Sequence, residues 1–295
     1  MMTFLGIPIQ ALMGQLLLGL INGASYAVLS LGLALIFGLL NIINFAHGAQ
    51  YMMGAYIAWM LLAYAGVNYW LALVVAPLAV GLIGVVIERL LLRRLYKLDN
   101  LYGLLLTFGL ALIIEGLFRQ AYGISGQAYQ APRLLQGGIN LGFMFLPLYR
   151  GWVVLVALAA CLAVWAAIEK TRLGALLRAA TENPALVRAF GVNVPLLITG
   201  TYGFGAALAG FAGVLAAPLY SVNPLMGSNI IIIVFAVVVI GGMGSILGSV
   251  LTGFGLGLIE GLTKVFYPEA SATVIFVIMA IVLLIKPAGL FGRNA

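Results

Sequence analysis

Charged residues are scarce in this chain, and the few that occur are unevenly distributed. They make up 7% of the 295 residues, against about 25% in an ordinary soluble domain. No charged residue precedes Glu88, and a second uncharged run separates Arg188 from Glu260. Each run is several times longer than the ~20 apolar residues that cross a bilayer core. The composition excludes a soluble globular domain and a disordered chain, and it predicts a polytopic membrane protein.

Cysteine and histidine each occur once, which excludes several kinds of site. Cys161 alone permits neither an intrachain disulfide nor a thiolate metal cluster. His47 alone excludes a multi-histidine metal site. The sequence also lacks a Gly-x-x-x-x-Gly-Lys-Ser/Thr loop, so we expect no nucleotide-phosphate cradle in this chain. The formal charge of +7 is typical of topology and lipid contact in a membrane protein rather than of nucleic acid binding.

The apolar runs are continuous rather than alternating, which predicts an all-α helix bundle and not a barrel. We expect about eight to ten transmembrane or half-spanning helices. Small residues four apart let membrane helices approach closely, and this spacing occurs at Gly19-x3-Gly23, Gly244-x3-Gly248 and Gly253-x3-Gly257-x3-Gly261. The candidate spans are Ile9–Leu29, Ser30–Ile43, Gly48–Ala65, Trp70–Leu92, Leu101–Phe118, Trp152–Ile168, Leu196–Leu215, Ile230–Ile240, Leu247–Leu262 and Thr273–Ile285.

Two of these spans, Ser30–Ile43 and Ile230–Ile240, are too short to cross a bilayer at ~1.5 Å per residue. Each runs into a polar or glycine-rich break, Asn41–Gly48 or Gly241–Gly248. Interrupted helices in transporters often bring helix ends and unwound backbone to the substrate near the midplane. The candidate substrate-pathway residues are therefore Asn41, Asn44, His47, Gly48, Gly241, Gly242, Gly244 and Ser245. The structural alternative is that the asparagines and the histidine make hydrogen bonds between helices.

The basic residues predict the orientation of the chain. Ten of the 14 lie in three regions that the positive-inside rule places in the cytoplasm. They are Arg89, Arg93, Arg94, Lys97, Lys170, Arg172, Arg178, Arg188, Lys286 and Arg293. The C-terminus is then cytoplasmic, and residues 120–150 form the largest outer loop, in which prolines and glycines argue against a long helix. Residues 1–295 are expected to form a single transmembrane domain.

The cytoplasmic connection at residues 169–195 carries the clearest local pattern. Leu173–Thr181 is predicted to be helical, and a second, very short helix follows it. Asn183 is a good N-cap, Pro184 suits the first helical position and Gly191 suits a left-handed C-cap. A helix this short needs a partner to persist. We expect Leu186, Val187 and Phe190, with Arg188, to face a groove in a partner; the alternative is a helix lying on lipid.

Several motifs together resemble one family. They are Gly174, Arg178, Ala179, Glu182-Asn183-Pro184 and Gly191-Val192-Asn193 in the cytoplasmic connection, Asn41–Gly48 followed by Met53-Gly54-Ala55-Tyr56, and Gly210–Leu215, Gly241–Ser245 and Lys286–Gly292 in the C-terminal half. In this order they resemble the branched-chain amino acid ABC transporter permeases, the LivH-like inner-membrane subunit. The resemblance covers nearly the whole chain.

The resemblance implies a bacterial inner-membrane permease that carries branched-chain or related amino acids by alternating access. It implies four kinds of partner: a second, LivM-like permease, two cytoplasmic ATPases that use the ATP, a periplasmic binding protein and the lipid bilayer. No cofactor is implied in this chain. The residues implied to couple it to the ATPases are Arg178, Glu182, Asn183, Pro184, Leu186, Arg188, Phe190 and Gly191. One departure concerns Ala49, because many members have glutamate directly after the His-Gly pair.

The residues leave two other classes of function open. A self-contained secondary transporter or channel for a small polar solute would need unpaired acids or histidines deep in the bundle. The acids within apolar spans instead have basic residues four positions on, Arg119 after Glu115 and Lys264 after Glu260, and we expect structural anchors there. An intramembrane enzyme has little support, because Ser25 with His47 is the only suggestion of a catalytic dyad. A transport subunit, not an enzyme, is expected.

Overall fold

A computed structural model describes residues 3–4, 7–40, 42–96 and 98–292 of the chain. This part is almost entirely helical, as predicted. Two short antiparallel hairpins accompany the helices, β1 (Thr3–Phe4) with β2 (Ile7–Pro8) and β3 (Gly138–Asn140) with β4 (Phe145–Pro147). The helices are α1 (Ile9–Leu40), α2 (Ala46–Ala65), α3 (Tyr69–Leu90), α4 (Asn100–Tyr122), α5 (Leu148–Lys170), α6 (Arg172–Glu182), α7 (Pro184–Ala189), α8 (Val194–Ala216), α9 (Met226–Gly241), α10 (Ile246–Phe266) and α11 (Val274–Ile285).

Six helices of the described part are long and apolar enough to cross a membrane. They are α1, α3, α4, α5, α8 and α10. The apolar helices α9 and α11 are shorter, with 16 and 12 residues, and α2 has 20 residues that are mostly buried among its neighbours. Because helices satisfy their own backbone hydrogen bonds, they can pass through hydrocarbon. The prediction of a multi-pass helical bundle is confirmed.

The predicted division between Ile9–Leu29 and Ser30–Ile43 is wrong. Helix α1 runs through this point without interruption for 32 residues. Ser30 is fully buried, and its hydroxyl donates to the carbonyl of Ala27 at 3.1 Å. A serine whose hydroxyl bonds to a carbonyl of the preceding turn can remain inside a helix. Ser30 therefore does not interrupt α1. The short span Ile230–Ile240 does correspond to a short helix, α9.

Glycines set the closest approach between helices in this bundle. A Cβ at Gly257 of α10 would overlap the backbone of Gly19 and Gly23 in α1, and one at Gly253 would lie 2.7 Å from the backbone of Ala27. The predicted packing of these glycines is confirmed. Gly244 and Gly248 act differently, because Gly244 lies in the turn between α9 and α10, and Gly248 abuts Gly241 across that turn. Gly248 therefore shapes a local turn, whereas Gly244 also contacts α1, since a Cβ at Gly244 would lie 3.0 Å from the Cα of Gly38.

Helices α2 and α8 form the centre of the bundle. Gly54 of α2 touches Gly210 of α8, and Gly213 of α8 touches Tyr51 of α2, with no room for a side chain at either glycine. Helix α3 packs on the other face of α8 through Gly84, where a Cβ would lie 2.6 Å from Ala206. Helix α4 is peripheral, since only 11% of its most apolar stretch is buried. Its apolar outer face is available to lipid or to another subunit.

The loop at residues 120–150 contains no long helix, as predicted. Helix α4 ends at Gly123, whose φ of +74° stops the helix. The β3–β4 hairpin precedes α5, and the backbone of Gln127 pairs with Val222 in the segment after α8. These contacts hold the loop over the ends of the helices that it connects.

Candidate transport pathway and coupling surface

The first predicted break separates α1 from α2. Helix α1 ends at Leu40, and α2 begins at Ala46. Asn41, a candidate pathway residue, lies outside the described residues. The remaining candidates here are Asn44 in the connection and His47 and Gly48 in the first turn of α2.

Asn44 and His47 are buried and hold the start of α2 against its neighbours. The amide of Asn44 donates to the hydroxyl oxygen of Tyr202 in α8 at 3.1 Å, and Gln50 donates to the same oxygen at 3.4 Å. His47 Nε2 lies 3.0 Å from the carbonyl oxygen of Leu29, an acceptor, which assigns the proton to this nitrogen. Hydrogen bonds between helices are what a purely structural role predicts for these residues. A direct role in the pathway stays a prediction.

The second predicted break is a tight turn between α9 and α10. Gly242 and Gly244 have backbone φ values of +103° and +83°, which residues other than glycine rarely adopt. The hydroxyl of Ser245 accepts from the backbone N–H of Gly248 at 3.1 Å and caps α10. The break is therefore built from glycines for conformation and from a serine for capping.

The C-terminal segment covers this turn, which the sequence did not predict. The N–H groups of Leu290 and Phe291 donate to the carbonyls of Ile240 and Gly241 at 2.8 and 3.1 Å. The last carbonyls of a helix need partners, and this segment supplies two of them to α9. The motif Lys286–Gly292, one of those that carry the family resemblance, thus has a structural role at the end of α9.

A cavity of about 400 Å³ joins the second break to the connection at residues 169–195. Gly244 and Ser245 line it on one side, and Arg178 and Glu182 of α6 line it on another. Phe291 also borders it. Predicted pathway residues and predicted coupling residues therefore share one cavity at this end of the bundle.

Gly48 lies in a different place. It packs on Gly227 in the first turn of α9, where a Cβ would lie 2.7 Å from the Gly227 carbonyl oxygen. With Ala49 and Glu115 it lines a smaller cavity of about 60 Å³. The candidate pathway residues of the described part thus do not form one site. Asn44 and His47 lie in a buried hydrogen-bonded cluster, Gly48 at this small cavity, Gly244 and Ser245 at the 400 Å³ cavity, and Gly241 and Gly242 in the turn beside it.

The connection at residues 169–195 folds as predicted. Helix α6 spans Arg172–Glu182, and the six-residue α7 spans Pro184–Ala189. Asn183 Oδ1 accepts from the N–H of Leu186 at 2.9 Å, Pro184 occupies the first turn and Gly191 has a φ of +82°. These are the predicted N-cap, first helical residue and left-handed C-terminal glycine.

Helix α7 exposes one apolar face and buries another. Leu186 and Phe190 are 54% and 79% exposed. Val187, by contrast, is buried against Ala180 of α6 and Val194 of α8. The prediction that Val187 faces a partner is wrong, because this residue is the one that anchors α7 to the rest of the chain.

Arg178 fixes α6 to the end of α5. Its guanidinium donates to the carbonyl oxygen of Ile168 at 2.9 Å and lies 3.4 Å from the carboxylate of Glu169. Gly174 permits this arrangement, since a Cβ there would overlap the same carbonyl oxygen. Arginine near a helix C-terminus satisfies free carbonyls and complements the helix dipole. The side chain of Arg178 thus joins α6 to the membrane helix before it.

A buried acid strengthens the contact between α3 and α8. Glu88 is 1% exposed and accepts from the hydroxyls of Tyr96 and Thr199 at 2.7 and 2.6 Å. Burial, together with the neighbouring Glu88 carboxylate, raises the pKa of the Tyr96 phenol above its ordinary value. Tyr96 therefore remains a hydrogen-bond donor to Glu88 at neutral pH.

Both predicted acid–base pairs are present. Glu115 and Arg119 lie 3.2 Å apart, and Glu260 and Lys264 lie 2.5 Å apart. Glu260 also accepts from the hydroxyl of Tyr26 at 2.8 Å, and Glu115 also accepts from that of Ser228. The pairs therefore tie neighbouring helices together as well.

Comparison with known proteins gives one consistent result. Residues 15–284 match the model of the family described as "Branched-chain amino acid transport system / permease component". The chain is 30% identical over 294 residues to the high-affinity branched-chain amino acid transport system permease protein LivH of Escherichia coli (strain K12), with 95% of each chain covered. It is 31% identical over 299 residues to BraD of Pseudomonas aeruginosa, again with 95% of each chain covered. It is 26% identical to LivM of Escherichia coli (strain K12), covering 90% of this chain and 67% of LivM. No solved structure matches it.

Proposed function

The chain belongs to the family of branched-chain amino acid transport system permease components, and from that membership we propose that it carries a branched-chain or related amino acid. It is a membrane-spanning permease subunit of an ABC importer, and not an enzyme. The names of its relatives state high-affinity transport of branched-chain amino acids, and this similarity supports the substrate class.

We propose that two cytoplasmic ATPases dock on α7 and drive transport by alternating access. The observation that carries this proposal is the exposure of Leu186 and Phe190 on a helix of only six residues. Isolated helices of this length are not stable in water, so α7 depends on Val187 for attachment on one side. Its exposed side leaves two large apolar residues beside Arg188, which suits an apolar groove with an acidic rim.

Movement of α7 can be transmitted to the membrane helices through direct contacts. Val187 joins α7 to α6 and α8, and Arg178 joins α6 to the end of α5. Helix α8 in turn packs on α1, α2 and α3. ATP binding that shifts the docked helix would therefore move α5 and α8 with it. Coupling in proteins travels through such packed, hydrogen-bonded contacts.

The remaining partners and the orientation belong to the same proposal. A second, LivM-like permease completes the membrane pathway, and a periplasmic binding protein delivers the substrate to the outer loop at residues 120–150. The chain forms one domain, residues 1–295, in the inner membrane, with its C-terminus and the 169–195 coupling loop in the cytoplasm. The clustered basic residues support this orientation.

Affinity purification in mild detergent tests the docking proposal. The tagged chain should bring down a second permease and an ATPase in stoichiometric amounts. Phe190→Ala should lower ATPase recovery about tenfold, since a large apolar anchor carries much of an interface's binding energy. Ile285→Ala is the matched control, because Ile285 is also 79% exposed but lies at the end of α11.

Two outcomes would contradict the proposal. Equal ATPase recovery with Phe190→Ala and wild type would remove α7 as the docking element. A chain that elutes alone even after chemical cross-linking would favour the self-contained transporter or channel.

A further inference from the structure

The small cavity beside Gly48 lies where α2, α4 and α9 meet. Its volume is about 60 Å³. One carboxylate, that of Glu115, lies in a wall that is otherwise mostly apolar. The larger apolar side chains that line it are Phe45, Met52, Phe108, Leu112 and Ile231.

Two helices begin at this cavity, inside the bundle. Helix α2 begins at Ala46, and its first-turn residue His47 bonds to Leu29, well within the long helix α1. Helix α9 begins at Met226, and the backbones of Gly48 and Gly227 touch. The first N–H groups of a helix have no partners within it and carry partial positive charge. Both helix starts therefore carry partial positive charge at this point, although the N–H groups of Phe45 and Met226 already donate to Thr107 and Asn223.

Glu115 is placed to bind a cation at the same cavity. One carboxylate oxygen pairs with Arg119 at 3.2 Å, and the other accepts from the hydroxyl of Ser228 in α9. Each oxygen of an ionised carboxylate has more than one acceptor position, so these bonds leave Glu115 able to accept from a further donor. The Glu115 side chain is 17% exposed, which leaves it accessible from the cavity.

We propose that Glu115 binds the ammonium group of the amino acid as it passes this cavity. The apolar wall contacts the aliphatic side chain of the substrate, and the starts of α2 and α9 face its carboxylate. This inference rests on the proposed function and names a recognition residue for it. The ammonium group, the aliphatic side chain and the carboxylate of the substrate thereby meet Glu115, the apolar wall and the two helix starts, respectively.

The site is incomplete in this chain alone. Small-molecule pockets are typically about 300–1,000 Å³, and this cavity is far smaller. It borders the peripheral helix α4, where Phe108 and Leu112 are 49% and 54% exposed. The second permease therefore supplies the opposing wall, against this face of α4.

Glu260 offers a matched comparison for Glu115. It has the same i,i+4 basic partner and a second hydroxyl donor, Tyr26. It differs in position, because it lies on α10 and not among the residues that line this cavity. A purely anchoring role would make the two acids equivalent, whereas substrate recognition distinguishes them.

The test uses the whole transporter, reconstituted in proteoliposomes with its second permease, ATPases and binding protein. Uptake of radiolabelled L-leucine and ATP hydrolysis stimulated by the binding protein are measured together. Glu115→Gln should lower uptake about tenfold or more, as expected for loss of a hydrogen bond between charged groups. Glu115→Asp should restore part of the uptake. Glu260→Gln should leave both activities near wild type.

Several results would overturn the inference. They are uptake by Glu115→Gln within about twofold of wild type, and a loss shared equally by Glu260→Gln. If Glu115→Gln fails to assemble, Ala49→Leu takes its place, since it narrows the same cavity without changing charge; unchanged uptake would then count against the inference. Failure of the proposed function looks different, because the wild-type assembly itself would then show no ATP-driven uptake.

Discussion

Gly257 lies where α10 crosses α1, and a Cβ there would lie 2.4 Å from both the carbonyl oxygen of Gly19 and the Cα of Gly23. Gly257→Ala should destabilise the protein by about 1–3 kcal/mol, because a Cβ there forces the two helices apart. Gly255→Ala is the control on the same helix, since a Cβ at Gly255 meets no atom within 4 Å. Thermal unfolding in detergent measures both variants. Equal midpoints for the two would show that the crossing is not close-packed.

The sequence predicted this crossing because glycines four apart leave a recognisable groove. It also singled out Asn44 and His47, since polar residues stand out among apolar neighbours. It did not predict their partners. Asn44 bonds to Tyr202, 158 positions away, and His47 bonds to a backbone carbonyl. A partner so distant is set by tertiary packing, which no local pattern encodes.

At the scale of the element, helix positions were largely predictable and helix continuity was not. The predicted span at Thr273–Ile285 differs from α11 by one residue, and the predicted helix at Leu173–Thr181 lies within α6. The division of α1 at Ser30 failed because the hydroxyl bonds to the preceding turn. The inward direction of Val187 was missed as well, since it depends on how α7 packs against α6 and α8.

The short helix α7 depends on its terminal residues, and Gly191 is the most restricted of them. Its φ of +82° costs other residues about 1–2 kcal/mol, while a Cβ there meets no atom within 4 Å. Gly191→Val should therefore distort the end of the helix without a clash. We expect ATP-driven uptake to fall about tenfold, as a misplaced docking helix loses its interface, with normal membrane insertion.

Gly255→Val serves as the control for this variant, because Gly255 lies in open space on α10 with no positive φ. Uptake per inserted molecule is compared for the two variants. Wild-type uptake by Gly191→Val would remove the coupling role of α7.

At the scale of the whole molecule, the 400 Å³ cavity shared by the two sets of residues could not be predicted from the sequence. From the sequence, Gly244 and Ser245 were predicted for the pathway, and Arg178 and Glu182 for the coupling surface. The fold brings both sets to one cavity, with Phe291 of the C-terminal segment at its edge. Three segments far apart in the chain meet there. The arrangement places α6 directly beside the turn between α9 and α10.

The orientation of the whole molecule can be tested by labelling, because Cys161 is the only cysteine and is 1% exposed. In a Cys161→Ala background, Leu134→Cys reports on the outer loop and Thr171→Cys on the coupling loop, since both positions are exposed. The positive-inside rule places the second position with most of the basic residues. A membrane-impermeant maleimide added to intact spheroplasts should therefore label position 134 and spare position 171. Both should react after permeabilisation, which controls for reactivity. Labelling of position 171 alone in intact spheroplasts would reverse the orientation, and the exposed face of α7 would then be turned away from any cytoplasmic ATPase.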